Sequence, residues 1–259
     1  MPERLPMSML PAALHIRRGV TAVVGSGGKT TTLATLATLL EAPGSPDMNG
    51  TGVDGTHAAT APRIILTTTT HIRPFPFTPL YTGERGSELA QVLDGHPTVC
   101  CGTPAQDGKL AAPKMPFDGL ARLADYVLAE ADGSRALPIK AHAAHEPVVP
   151  TETRSLVIVV GAHGFGSSVE SVAHRPEIFC RRSGSCPCDP VTPELVAKVL
   201  ASELSDGAIP CPREASVSIL VTHVAGERHL EDARRLHHAL GRPVLAVDYP
   251  QQALWSIAE

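Results

Sequence analysis

The chain is 259 residues long, 43% hydrophobic and only 3% aromatic, with a formal net charge of -4 at pH 7 in which acids and bases are mixed. That is enough apolar material for one sizeable core of about 250 residues, while the lack of a basic, aromatic-studded face argues against a nucleic-acid partner. No stretch approaches the ~18 apolar residues of a membrane span, and the N-terminus, with Glu3 and its prolines, has no signal-peptide core, which predicts a cytoplasmic protein without a membrane partner.

The first strong pattern is a β-branched strand over 20–24, the run Gly25, Ser26, Gly27, Gly28, Lys29, Thr30, Thr31, and an apolar-periodic helix over 30–40. Glycines let backbone N–H groups converge on an anion, and the helix aims its positive end at the same place. These seven residues are therefore nucleotide-binding candidates. Lys29 supplies a mobile charge for the β- and γ-phosphates, and the Thr30 hydroxyl stands where such loops present oxygen to Mg²⁺. The spacing is Gly-x-x-Gly-Lys-Thr-Thr, shorter than the commoner phosphate-loop pattern, whose first glycine position is taken by Val23.

Residues 41–62 lose the apolar period and read as a mobile surface insertion. A strand over 63–68 then runs into Thr69, Thr70 and His71, polar groups where wound sheets collect ligands, although a solvated strand tip has the same composition. A helix over 86–93, a strand over 99–101 and a helix over 117–123 lead to the strand over 126–131. Alternation puts its Glu130 on one face with Asp132, a pair suited to holding Mg²⁺ and polarising an attacking group. Gly133, Ser134 and Arg135 follow. The tract Lys140-Ala141-His142-Ala143-Ala144-His145-Glu146-Pro147 adds a cation, two imidazoles and a carboxylate: His145 is a candidate general base or ligand, and Lys140 or Arg135 a candidate hold for an acidic substrate or a transferring phosphoryl group. Beyond the strand over 156–160, His174 and Arg175 precede Pro176 and Glu177, with Arg175 as the anion contact.

Residues 181–193, rich in Cys and Pro, read as a loop at the edge of a C-terminal subdomain. The helix over 193–201, the strand over 217–222, the helix over 227–239 and the strand over 244–247 complete the series. Alternating strands and helices predict an α/β fold, a wound and mostly parallel sheet of P-loop nucleotide-binding type with flanking helices, in a single domain over 1–259. Cys180, Cys186 and Cys188 lack the C-x2-4-C spacing of tight zinc sites and leave ordinary thiols, metal ligands and sulfur or selenium carriers open.

The loop at 25–31, the tract at 67–71, Glu130 to Arg135, Lys140 with His145-Glu146-Pro147, and His174-Arg175-Pro176-Glu177 together resemble, in order and over most of the chain, the YqeC-like proteins. The resemblance implies a P-loop nucleotide-binding accessory protein in the maturation of selenium-dependent molybdenum hydroxylases. The hydroxylase or its cofactor-assembly proteins would be its partner, Mg²⁺ and ATP or GTP its cofactors. An Asn-Lys-x-Asp-like sequence often ends a late strand in that family, whereas here Thr222-His223-Val224-Ala225 stands there, so the guanine-accepting Asp is missing and ATP is preferred. Two other readings share the motifs: a non-catalytic nucleotide-switch chaperone that hands over a cofactor, and a Mur-ligase-like activation of a small carboxylate.

Overall fold

A computed structural model describes residues 2–42 and 61–258; of the insertion expected over 41–62, Glu41 ends a helix and residues 43–60 lie outside the described residues. The main sheet has ten strands: β1 (Glu3–Leu5), β2 (Gly19–Gly25), β3 (Ile64–Thr68), β4 (Leu80–Tyr81), β5 (Thr98–Cys101), β6 (Tyr126–Glu130), β7 (Thr153–Gly161), β8 (Ser216–Thr222), β9 (Val244–Asp248) and β10 (Ala253–Ile257). Their spatial order is β1-β10-β9-β8-β7-β2-β6-β3-β5-β4, and β10 alone runs against the direction of the other strands. The fold is α/β with a large, mostly parallel mixed sheet flanked by helices.

The central strands are apolar on both faces, as parallel strands covered on both sides must be. Val23, Leu128, Val157, Val159 and Leu220 pack with Leu33, Leu36 and Leu40 of helix α1 (Lys29–Glu41) on one face. On the other face Val24, Ile158 and Ile219 meet helices α5 (Pro193–Ser205) and α6 (Gly226–Leu240). Further along that face, Val20, Ile65, Val99 and Val127 meet helices α2 (Gly86–Gly95) and α3 (Phe117–Leu123). Helix α5 starts where Thr192 accepts a hydrogen bond from Leu195 N–H and Pro193 takes the first turn.

The expected loop over 181–193 is corrected at both ends. Arg181 to Ser183 form the last turn of helix α4 (Pro176–Ser183), which stops at Gly184 in the left-handed conformation (φ 74°), and Pro193 already belongs to α5. Phe179 and Val191, flanking that turn, are buried in the same apolar cluster as Ile158 and Ile219. Edge strands β1 and β4, and β10 beside β1, carry no clear sequence pattern. Nor do the short pairings of His71–Ile72 and Thr103–Pro104 with Leu110–Ala111, or of Ile139–Lys140 with Ala173–His174.

From β2 the chain first builds strands on one side (β3 to β6) and then on the other (β7 to β9), so the carboxyl end of β2 sits where the winding reverses. Wound sheets leave a crevice at such a place.

Candidate functional site

That crevice is a cleft of about 740 Å³ whose floor is the turn from β2 into α1. The turn has to be made of glycine. A Cβ on Gly25 (φ 93°) would lie 2.3 Å from the Val159 carbonyl oxygen, and one on Gly27 (φ 81°) 2.6 Å from Gly161 Cα. Neighbouring strands pin its shape: Ser26 N–H donates to Val159 O at 2.9 Å, Ser26 Oγ donates to Leu137 O at 2.7 Å, and Thr222 Oγ1 donates to Gly27 O. Gly25 and Ser26 thus lie beneath the cleft, while Gly27, Gly28, Lys29, Thr30 and Thr31 line it. The first N–H groups of α1 have no partner within the helix and open on that side.

Glu130 and Asp132, expected on one face, both reach Lys29 but at different depths. Glu130 lines the cleft: its Oε2 accepts from Thr30 Oγ1 at 2.8 Å and its Oε1 is 3.8 Å from Lys29 Nζ. Burial pushes its carboxyl pKa up, against the pull of Lys29 and Thr30. Asp132 is 0% exposed; its Oδ2 accepts from Gly25 N–H at 2.9 Å and lies 3.1 Å from Lys140 Nζ, and its Oδ1 is 3.1 Å from Lys29 Nζ. Burial opposes its charge, yet Lys29, His142 and Lys140 outweigh burial and hold its pKa well below the usual carboxylate range. Lys29 also donates to Gly25 O at 2.8 Å and to Ser134 Oγ at 3.2 Å.

Two residues complete this buried cluster: His142, one of the two imidazoles in the tract from Lys140 to Pro147, and Glu203, on which no sequence expectation rested. His142 Nε2 is 2.8 Å from Asp132 Oδ2, its Nδ1 is 2.8 Å from Glu203 Oε2, and its backbone N–H donates to Glu203 Oε1 at 2.6 Å. Each ring nitrogen faces a carboxylate, so both donate only in the imidazolium form. Burial alone would lower the His142 pKa; the two carboxylates reverse that and raise it. Arg182 of α4 reaches Glu203 from the far side, at 3.7 Å. Glu203 had a readable signal: with Val196 and Leu200 it falls at i, i+4, i+7 on the apolar stripe of α5, a place for a charge only if it is paired.

Lys140 is buried too, donating to Gly133 O and pairing with Glu146 Oε1 at 2.7 Å. Arg175 Nη1 donates to the same Glu146 oxygen, and Lys140 and Arg175 between them keep the Glu146 pKa lowered although partial burial opposes this. Thr70, His71, Ser134, Arg135, Glu146, His174 and Arg175 line the cleft. His145 does not; it is exposed, with Nε2 3.3 Å from Arg175 Nη2. The Thr69 hydroxyl is buried without a hydrogen bond, and its N–H donates to Glu130 O at 3.0 Å.

His163 and His223, neither of them a sequence-predicted site residue, close the side beyond Gly28, their rings 4.4 Å apart and edge-on. Burial, then the imidazoles of His223 and His229, lower the His163 pKa. Among the described residues no three His, Cys, Asp or Glu side chains are grouped to hold a metal ion. Cys186, Cys188 and Cys211 are exposed, while burial pushes the Cys101 thiol up to about 12. No helix among the described residues is long and apolar enough to cross a membrane.

The family model described as YqeC protein matches residues 55–177, the stretch that carries Glu130, Asp132, Lys140, His142, Glu146 and Arg175. The protein named "Uncharacterized protein YqeC" from Escherichia coli (strain K12) is 32% identical over 191 residues, covering 68% of this chain and 68% of that relative.

Proposed function

This chain belongs to the YqeC family, and we propose that it binds a magnesium-nucleotide, ATP before GTP, on residues 27–31 and hydrolyses it as an accessory protein in the maturation of selenium-dependent molybdenum hydroxylases. The observation that carries the nucleotide reading is the meeting of Thr30 Oγ1 and Glu130 Oε2, 2.8 Å apart, at the mouth of a glycine turn that also presents Lys29. These are hard oxygen donors, and Mg²⁺ usually takes one or two protein ligands, with phosphate and water supplying the rest, so the pair fits that ion without a three-residue cluster. Bound there, Mg²⁺ supplies neutralisation of the charge that develops during phosphoryl transfer.

Thr30 and Glu130 are the residues that would hold it. Asp132, sealed under the turn, fixes Gly25 N–H and Lys29 Nζ in position. ATP is favoured because the chain has Thr222-His223 in place of a guanine-accepting Asp. The hydroxylase role rests on the family resemblance of the motifs.

Equilibrium titration of the protein and of Lys29→Ala with ATP and GTP, with and without Mg²⁺, tests the nucleotide reading. The expected result is Mg²⁺-dependent binding that weakens about 100-fold or more in the variant, close to the removal of two charge-assisted contacts. A native-like melting profile of the variant keeps the comparison valid. Equal binding by both proteins, or none by either, would overturn it. Selenium content of the hydroxylase from cells lacking this chain tests the maturation role, with low content expected.

A further inference from the structure

We propose that the cleft holds a second anion site, formed by Lys109, Arg135 and Arg175, which takes the carboxylate or phosphate of an acceptor molecule beside the nucleotide; this rests on the nucleotide reading above. The three cations arrive from separate parts of the chain. Lys109 directly precedes the short strand Leu110–Ala111 that pairs with His71–Ile72, Arg135 follows the acidic end of β6, and Arg175 precedes α4; all three line the same cleft.

Among the described residues, two of them are free of internal ion pairs and the third is only partly neutralised. Lys29 is matched by Glu130 and Asp132, and Lys140 is spent on Asp132 and Glu146. Lys109 and Arg135 have no acidic partner within ion-pair distance among the described residues, and Arg175 shares Glu146 with Lys140. The lining thus carries a net positive charge beyond the glycine turn. Of the cations that the sequence offers for anion contact, Arg135 and Arg175 line the cleft, whereas the Lys140 side chain is 1% exposed and faces inward.

The three cations share the cleft with the glycine turn, and Arg175 connects to Lys29 only through other charges. Lys29, Asp132, Lys140, Glu146 and Arg175 form an alternating ladder of charges, so two carboxylates separate Arg175 from Lys29. Glu146 holds one edge of the Arg175 guanidinium, which orients a planar fork suited to a two-oxygen anion. Arg135 (φ 50°) and Arg175 (φ 66°) both occupy the left-handed backbone region, which costs a non-glycine residue energy and persists where the surroundings over-determine it. Hydrolysis, with water attacking the γ-phosphorus, needs no second anion site; transfer, in which an acceptor oxygen bonds the γ-phosphorus as the β–γ bridging P–O bond breaks and the nucleoside diphosphate leaves, needs the acceptor held in reach.

The test uses inorganic phosphate as probe, its binding followed by titration calorimetry to the full chain saturated with Mg²⁺ and a non-hydrolysable ATP analogue. Phosphate should still bind, and its affinity should fall tenfold or more in the Lys109→Ala/Arg135→Ala double variant. Displacement of phosphate by the analogue would place these cations in the nucleotide's own site and overturn the proposal, as would an unchanged affinity in the double variant. Titration of the analogue alone reports on the nucleotide reading: if it fails to bind while phosphate binding still depends on Lys109 and Arg135, the anion site stands and the nucleotide reading falls. Acetate in place of phosphate distinguishes a carboxylate acceptor from a phosphorylated one by which binds more tightly.

Discussion

Glu130 and Asp132 leave the same strand end two residues apart and both reach Lys29, yet Glu130 lines the cleft while Asp132 is sealed beneath it among Gly25, Lys140 and His142. The open cleft and the buried charge chain under it are built from the same residue types. In the cleft, side chains border the open volume, even where they are largely buried like Glu130, and can trade partners with a ligand. Underneath, each charge is fixed by an opposite one, because an unpaired charge in the interior costs several kcal/mol. The difference teaches that a catalytic-looking constellation contains two kinds of residue: those that meet a ligand and those that hold the floor in place.

His142→Ala should give the largest effect, since it strips a partner from both Asp132 and Glu203, each 0% exposed. The expected loss is ~3–5 kcal/mol of folding stability, read as a lower urea midpoint. A loss under ~1 kcal/mol would mean that water replaces the imidazole and that the chain is not sealed.

Gly27→Ala comes next, because its Cβ would press on Gly161 Cα at a backbone angle disfavoured for alanine. It should cost ~1–3 kcal/mol and abolish nucleotide binding, measured by thermal melting with and without ATP. Binding preserved in that variant would detach the nucleotide site from the turn.

Smaller and pH-dependent is the charge on His142. Its pKa is raised in the folded protein, so its stabilisation is fully present below the ordinary imidazole value of 6.5 and declines as pH climbs through the raised value. The stability advantage of the protein over His142→Gln should therefore shrink with rising pH across that window, seen in urea unfolding at a series of pH values. Asp132 acts in the opposite direction at low pH: its lowered pKa gives stability above the ordinary carboxylate value, lost as pH falls through the depressed one.

The smallest change belongs to His145→Ala, at an exposed position outside the cleft lining, with an expected effect within ~0.5 kcal/mol on stability. If it instead abolished nucleotide hydrolysis while leaving binding intact, His145 would have to swing inward during turnover.

The central strands were legible because their apolar runs are long and bounded by turn chemistry, and the acidic strand end because carboxylates rarely follow such a run without purpose. Helix α4 was less so: Arg181, Arg182 and Ser183 resemble a loop in composition, and only Gly184 marks the stop. In the tract from Lys140 to Pro147 the sequence offers two histidines of equal chemical promise. His142 is buried between two carboxylates and His145 is exposed, a distinction that depends on Glu203, 61 residues further on.

By itself the sequence determined the wound α/β order, the glycine-rich turn before α1 and the pair of carboxylates at the end of β6, because strand period, glycine geometry and helix polarity are local properties of the chain. Tertiary structure decided which charges are sealed and which are open, and it brought Lys109, Arg135 and Arg175 to one cleft. Burial and pairing depend on what packs from distant segments, and no local pattern carries that information.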